Sequence, residues 1–283
     1  MKIVPAWSAQ FAEDALRTVD PLPPLEDSVT WEGVFGNSTG KGVRVAVIDS
    51  GIDSTHPAFD KGVSGYVAIH EDNGSILYDT EPHEDVFGHG TACAGIIRSI
   101  APDCELYSVR VLGSALIGRG STFMAGLRWA VENNMHVCNL SLGTTKKEFY
   151  ASLHEIADKA YFNNVLLVAA ANNLPIPSFP SMYSSVISVA ADQQNEYDMH
   201  RFFYNPAPPV EFGAPGIEVR VPWQNHSWIM ATGNSFAAPH ITGMIASILG
   251  KHPGITPFQV KSLLRSLSAN STVYRQRGRS GDS

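Results

Sequence analysis

Short, nearly continuous apolar runs alternate along this chain with longer stretches in which apolar positions return every three or four residues. The runs are Val43 to Asp49, Leu106 to Val111, His136 to Leu140, Val165 to Ala171 and Val186 to Ala191. Each is dominated by Val, Ile, Leu and Ala, the composition of a strand covered on both faces. The periodic stretches are His89 to Ile97, Ser121 to Asn134 and Phe149 to Asn163, followed later by Ser235 to Leu249 and Pro257 to Leu267. This alternation predicts an α/β domain built on a doubly wound, mostly parallel sheet with helices on both faces. Between Met199 and Met230 the chain turns to Pro, Trp and Phe, which predicts surface loops and antiparallel strands.

Outside this body the pattern changes. Residues 1–40 read as a lead-in: a short amphipathic helix around Ala6 to Thr18, a bend at Pro21-Leu22-Pro23-Pro24, and a second short helix before Gly40. The body is expected to span 41–267 as one domain, since 283 residues with 44% hydrophobic content can enclose one large core. The tail, 268–283, carries Arg275, Arg277 and Arg279 among Ser and Gly, and is expected to be disordered.

A formal net charge of −7 argues against a nucleic-acid partner, because no basic excess would offset phosphate repulsion. No run approaches eighteen apolar residues, so no membrane span is expected. The N-terminus has Lys2 but no apolar core segment before Glu13 and Asp14, which reads as no signal peptide. Three cysteines, Cys93, Cys104 and Cys138, are odd in number and lie among small or apolar residues, suiting buried thiols in a reducing cytoplasm. Oligomeric state is left open.

Four residues at element ends carry chemistry. The run into Asp49 ends in an acid followed by glycine; Gly88 to Gly95 sets His89 among small residues that permit close helix packing. Leu166 to Asn173 is a buried strand ending in side-chain amides, and Gly233 to His240 places Ser235 where a loop meets a helix. Singly, each has a commoner explanation: a strand-terminal Asp can hold a ribose or a metal, a histidine is usually packed, and an Asn usually makes a turn. A serine hydroxyl becomes a nucleophile only with a base to take its proton and donors to receive the oxyanion. Here all the parts are present, in the order Asp, His, Asn, Ser.

On these motifs, and on Ile100 to Gly113, Asn139 to Gly143 and Ala214 to Gly216, the chain from Lys41 to Leu267 resembles the subtilisin-like serine proteases, the subtilases. The resemblance implies an endopeptidase acting on proteins or peptides through an acyl-enzyme. Asp49 would orient His89, His89 would serve Ser235 as base, and the Asn173 side chain would donate to the oxyanion. It further implies that substrate lies extended between Ser141-Leu142-Gly143 and a segment ending at Gly118. Ala170 and Ala171 would bind substrate, and Leu174 would lie at the rim of the main specificity pocket with Ser178 near its base. No cofactor is implied. Other chemistries on the same fold are a peptide ligase or macrocyclase, for which the extra segment between Gly62 and Val86 is the one candidate shielding element, and a peptide-binding pseudoprotease.

The chain departs from the family pattern in four places. Asn234 and Phe236 flank Ser235 where Thr and Met are common, so Asn234 is a candidate to add or perturb an oxyanion donor and Phe236 to narrow the space behind the serine. Ala92-Cys93 replaces a frequent second histidine, with Cys93 expected as a packed thiol. The lead-in is too short for the usual prodomain. The usual calcium site is also expected to be missing: Ile96 to Pro102 leaves no room for the ligand loop, and Ala58, after His56-Pro57, offers no ligand oxygen.

Overall fold

The computed structural model describes residues 4–16, 29–194 and 197–271. Its frame is one sheet formed by β1 (Arg44–Asp49), β2 (Gly65–Asp72), β3 (Ser75–Asp79), β4 (Glu105–Arg110), β5 (Val137–Leu140), β6 (Leu166–Ala170), β7 (Ile187–Ala191), β8 (Phe203–Tyr204) and β9 (Phe212–Ala214). The spatial order is β3-β2-β4-β1-β5-β6-β7-β9-β8, and only the edge strands β3 and β8 run antiparallel to their neighbours. The helices are α1 (Trp31–Val34), α2 (His89–Ile100), α3 (Gly120–Glu132), α4 (Tyr150–Phe162), α5 (Asn234–Lys251) and α6 (Pro257–Leu267); a separate hairpin joins β10 (Val219–Trp223) to β11 (Ser227–Ala231).

Strand alternation divides the interior in two. Val45, Val47, Leu166, Val168 and Ala170 face a core shared with α2, α5 and α6, whereas Ala46, Ile48, Leu167 and Ala169 face one shared with α3 and α4. Burying each large side chain such as Leu167 contributes about 2 kcal/mol, and the central strands need apolar residues at every position because neither face meets water. β1 and β6 run parallel, so Asp49 and the loop after Ala170 reach the same edge of the sheet. That carboxyl edge is where open α/β sheets build their sites.

Three expectations need correction. The helix around Ala6 to Thr18 is, within its described part, a single 3₁₀ turn at Ser8–Phe11, entered through Trp7 at φ 72°. Its residues are committed to the main body instead: Phe11 is fully buried against Ala171, Ala190, Phe203 and Val210. The segment from Gly62 to Val86 contains the hairpin β2–β3, with β2 parallel to β4. The described part of the tail, 268–271, is bonded to the body: the Ala269 amide donates to the Phe202 carbonyl at 2.8 Å and Asn270 bonds both backbone groups of Tyr204. The proline bend at 21–24 and the three tail arginines lie outside the described residues.

Candidate active site

Asp49, the last residue of β1, is fully buried. Both its carboxylate oxygens lie 2.9 Å from His89 Nδ1, and Oδ1 also accepts from the Ser50 amide at 2.8 Å. His89 opens α2, whose first turn is held by a carboxylate that sequence reasoning passed over. Asp85 accepts from Ser50 Oγ, Phe87 N, Gly88 N, Thr91 N and Thr91 Oγ1 at 2.7–2.9 Å. An acid at a helix start satisfies otherwise orphaned amides and complements the helix dipole. The helix meets the loop after β1 without spare room, since a Cβ on Gly90 would fall 2.1 Å from the Gly51 carbonyl oxygen.

Burial disfavours a charged imidazole, but the charge and hydrogen bonding of the Asp49 carboxylate, with a smaller part from Cys93, together hold the His89 pKa well above the ordinary histidine value. With Nδ1 engaged by Asp49, Nε2 remains to exchange a proton with a nucleophile. Cys93 Sγ lies 4.0 Å from His89 Nδ1, 3.2 Å from Ser141 Oγ and 3.5 Å from the Ser235 carbonyl. Burial raises its pKa, so it is a neutral packed thiol. Among the described residues, Asp49, His89 and Cys93 form one trio with metal-compatible spacing, their ligand atoms lying within 4.8 Å of one another. The first two are already bonded to each other, and a metal there would displace the proton on Nδ1.

Ser235 is half-buried in the first turn of α5. Its carbonyl accepts from Ser141 Oγ at 2.7 Å, Ser141 Oγ accepts from Asn139 Nδ2 at 3.0 Å, and Asn139 Oδ1 accepts from Thr242 Oγ1 at 3.0 Å. This chain of bonds ties the turn carrying the serine to the end of β5. Asn173 lies just beyond β6. A single point, the place a Cβ on Gly233 would occupy, is 3.1 Å from Ser235 Oγ and 3.6 Å from Asn173 Nδ2. Serine oxygen and amide nitrogen therefore share one small space.

Asn234 does not add an oxyanion donor, one of the two roles expected for it. Its side chain is fully buried, with Oδ1 accepting from the Ala191 amide and Nδ2 facing the carbonyls of Ala6, Ala171 and Asn172. Phe236 is buried with its ring centroid 5.4 Å from that of His89, and so packs against the imidazole.

Gly118, Ser141, Leu142 and Gly143 line one groove of about 630 Å³, together with Leu112, Leu116, Ile117 and Phe149. Leu174 is 62% exposed, as a rim position should be, and Ser178 is buried with its Oγ 3.0 Å from Ser181 Oγ. Gly143 abuts Phe179 and Ser178, and Thr144 pairs with Phe179, so the two segments expected to border the pocket meet. Ala170 packs into the α2–α5 core. The Ala171 side chain packs in the Phe11 cluster, so the side chains of both alanines are committed to the interior rather than to substrate, which was expected of them.

The model of the subtilase family matches residues 40–280. The chain belongs to that family. It is 34% identical to subtilisin of Bacillus pumilus over 257 residues, which cover 85% of this chain and 89% of that protein. It is 35% identical to subtilisin E of Bacillus subtilis (strain 168), covering 83% of this chain and 64% of that longer protein, and thus just under two thirds of its length. Among solved structures, a cold adapted subtilisin-like serine proteinase superposes with a TM-score of 0.66 at 26% identity, covering 81% of this chain and 83% of that one. Sphericase superposes at 0.68 with 25% identity, covering 84% and 89%. This subtilase is a serine endopeptidase domain with the expected doubly wound fold. The supporting residues that sequence reasoning missed, Asp85 and Ala6, carried one usable signal: Asp85 stands three residues before Gly88, at capping distance from the helix start.

Proposed function

We propose that the chain hydrolyses protein and peptide substrates through an acyl-enzyme on Ser235. Substrate binds with its scissile carbonyl above Gly233. Ser235 Oγ attacks the carbonyl carbon while its proton passes to His89 Nε2, and the oxyanion receives the Ser235 N–H and Asn173 Nδ2. Collapse expels the amine, which takes the proton from His89; water then repeats the sequence and releases the acid. Asp49 holds the imidazole in the needed tautomer and stabilises its charged form. The observation that carries this reading is the two-oxygen engagement of His89 Nδ1 by buried Asp49 at 2.9 Å, beside a serine and an amide that share one space. Ser235→Ala should abolish both proteolysis and covalent labelling by a fluorophosphonate while leaving the melting temperature within a few degrees. Retained turnover would remove Ser235 from the role.

For specificity, the borders Leu174 and Ser178 supply no carboxylate, so a Lys or Arg just before the cut would lose water without gaining a partner. We expect uncharged, apolar or aromatic residues there. A peptide-library profile dominated by Arg or Lys would contradict this. We also assign the enzyme to the cytoplasm. Its three cysteines are buried and unpaired, with Cys104 pushed up to about 11 and Cys138 to about 12 by burial, as suits thiols that no disulfide consumes. Fractionation of the native host checks the compartment, and mass spectrometry of products separates hydrolysis from ligation.

A further inference from the structure

We propose that Asn234 is a positioning residue for the oxyanion amide, and that the N-terminal arm, Val4 to Phe11, belongs to the same device. The inference rests on the assignment of Asn173 as an oxyanion donor.

Asn173 is gripped from two sides. Its Oδ1 accepts from the Asn234 backbone N–H at 2.9 Å, and its main-chain carbonyl accepts from the Ala6 N–H at 2.6 Å. Fixing Oδ1 fixes the opposite end of the planar amide, so Nδ2 is turned toward the space shared with Ser235 Oγ. The Asn234 side chain then locks the grip. Its Oδ1 accepts from Ala191 N at 2.9 Å, at the end of β7, while Nδ2 lies 2.9 Å from the Ala6 carbonyl, 3.1 Å from that of Asn172 and 3.2 Å from that of Ala171. One fully buried side chain thus connects the nucleophile turn, the loop bearing Asn173, β7 and the arm.

Threonine cannot replace these contacts. A primary amide offers an acceptor and two donors at opposite ends of one planar group, whereas a hydroxyl has one donor on a shorter reach. The arm is in turn anchored beyond the loop as well as against it: the fully buried Phe11 ring covers Gly213, Gln194 Nε2 donates to the Phe11 carbonyl at 2.9 Å, and Asn205 Nδ2 donates to Gln10 Oε1 at 2.5 Å. The arm is therefore a fixed wall behind Asn173.

The test is a pair of double-mutant cycles in the full chain, Asn234→Thr with Asn173→Ala and Ala6→Pro with Asn173→Ala. kcat, KM and melting temperature are measured for each, together with the rate of fluorophosphonate labelling. Ala6→Pro removes the arm's N–H donor and keeps the Ala6 carbonyl, while the ring also fixes φ there, so the melting temperature controls for strain. In the wild-type background Asn234→Thr should lower kcat by about 10- to 100-fold with KM changed less than about twofold, since displacing a catalytic group by an ångström costs on that order. Ala6→Pro should lower kcat by about 3- to 10-fold, and labelling should slow in step. In the Asn173→Ala background either change should cost less than about twofold, because the donor it positions has gone. Additive effects, losses confined to KM, or faster turnover in Ala6→Pro, which would make the arm an occluding segment, would each overturn the proposal. Should Asn234→Thr fail to fold, the Ala6→Pro cycle decides alone. If Asn173→Ala itself leaves turnover unchanged, the oxyanion assignment and the proposal fall together, while Ser235→Ala labelling still tests the nucleophile separately.

Discussion

His89 must be neutral to act as a base, and Asp49 holds its pKa well above the ordinary 6.5. Activity should therefore fall as pH drops through a value above 6.5, and this limb of the kcat/KM profile should move toward lower pH in Asp49→Asn, in which the residual rate is read. A limb that does not move in Asp49→Asn would show that Asp49 does not stabilise the imidazolium. Phe236 leads to a second expectation. Because its phenyl ring packs on the imidazole where a methionine could be oxidised, wild-type activity should survive mild peroxide longer than that of Phe236→Met. Equal loss in both, with intact-mass control for Cys93, would contradict it. At this scale the candidate residues stood out because each marks a recognisable local pattern: an apolar strand end for Asp49, a small-residue helix start for His89 and a loop-to-helix junction for Ser235. The role of Asn234 was not legible, for its partners come from Ala6, Ala171 and Ala191, and nothing local specifies which carbonyls a buried amide will meet.

Two helix starts separate stability from catalysis. α6 begins with a capping box, Thr256 with Gln259, far along the chain from any site residue, so Thr256→Ala should cost about 1 kcal/mol and leave kcat unaltered. α2 begins with His89 itself, under a buried Asp85 that takes five hydrogen bonds. Asp85→Ala should cost about 2–4 kcal/mol by urea unfolding and also lower kcat, since the residue that loses its support carries the base. Equal kcat for Asp85→Ala and wild type would reduce the cap to a structural feature. Most interior strands were legible to within a residue or two, as continuous apolar runs leave little latitude. The β2–β3 hairpin was missed because its apolar runs, Tyr66 to Ile69 and Ile76 to Tyr78, are short, and β3 is largely exposed at the sheet edge. Its signal was the turn, where Asn73 and Gly74 both adopt positive φ, 47° and 80°, the pair favoured in tight hairpins.

Across the molecule as a whole, the parallel architecture followed from the alternation of patterns, whereas the docking of both chain ends on Phe202 to Tyr204 and their neighbours had no sequence signature. His240, fully buried in α5, has its pKa lowered by burial to about 4. Between about 4 and 6.5 the unfolded chain binds a proton there that the native state does not, so His240 takes stability away as pH falls through that window. The slope of melting temperature against pH from 4 to 6.5 should be shallower in His240→Gln; an unchanged slope would contradict the assignment. α2 runs without interruption to Ile100 and Ala58 packs against the core, leaving neither part of the usual calcium cradle in place. EDTA should accordingly leave melting temperature and activity unchanged, and a drop restored by calcium would reveal a site. The position of α5 has a consequence in time. It supplies the nucleophile and also much of the packing on one face of β5, β6 and β7, yet it is formed by residues 234–251. During synthesis, at about 5–20 residues per second, that face stays uncovered until these residues emerge. The base and its acid are made long before the serine, and the same event that closes the core delivers the nucleophile, so a nascent chain gains its capacity to cut only at the moment it ceases to be an easy target for cutting.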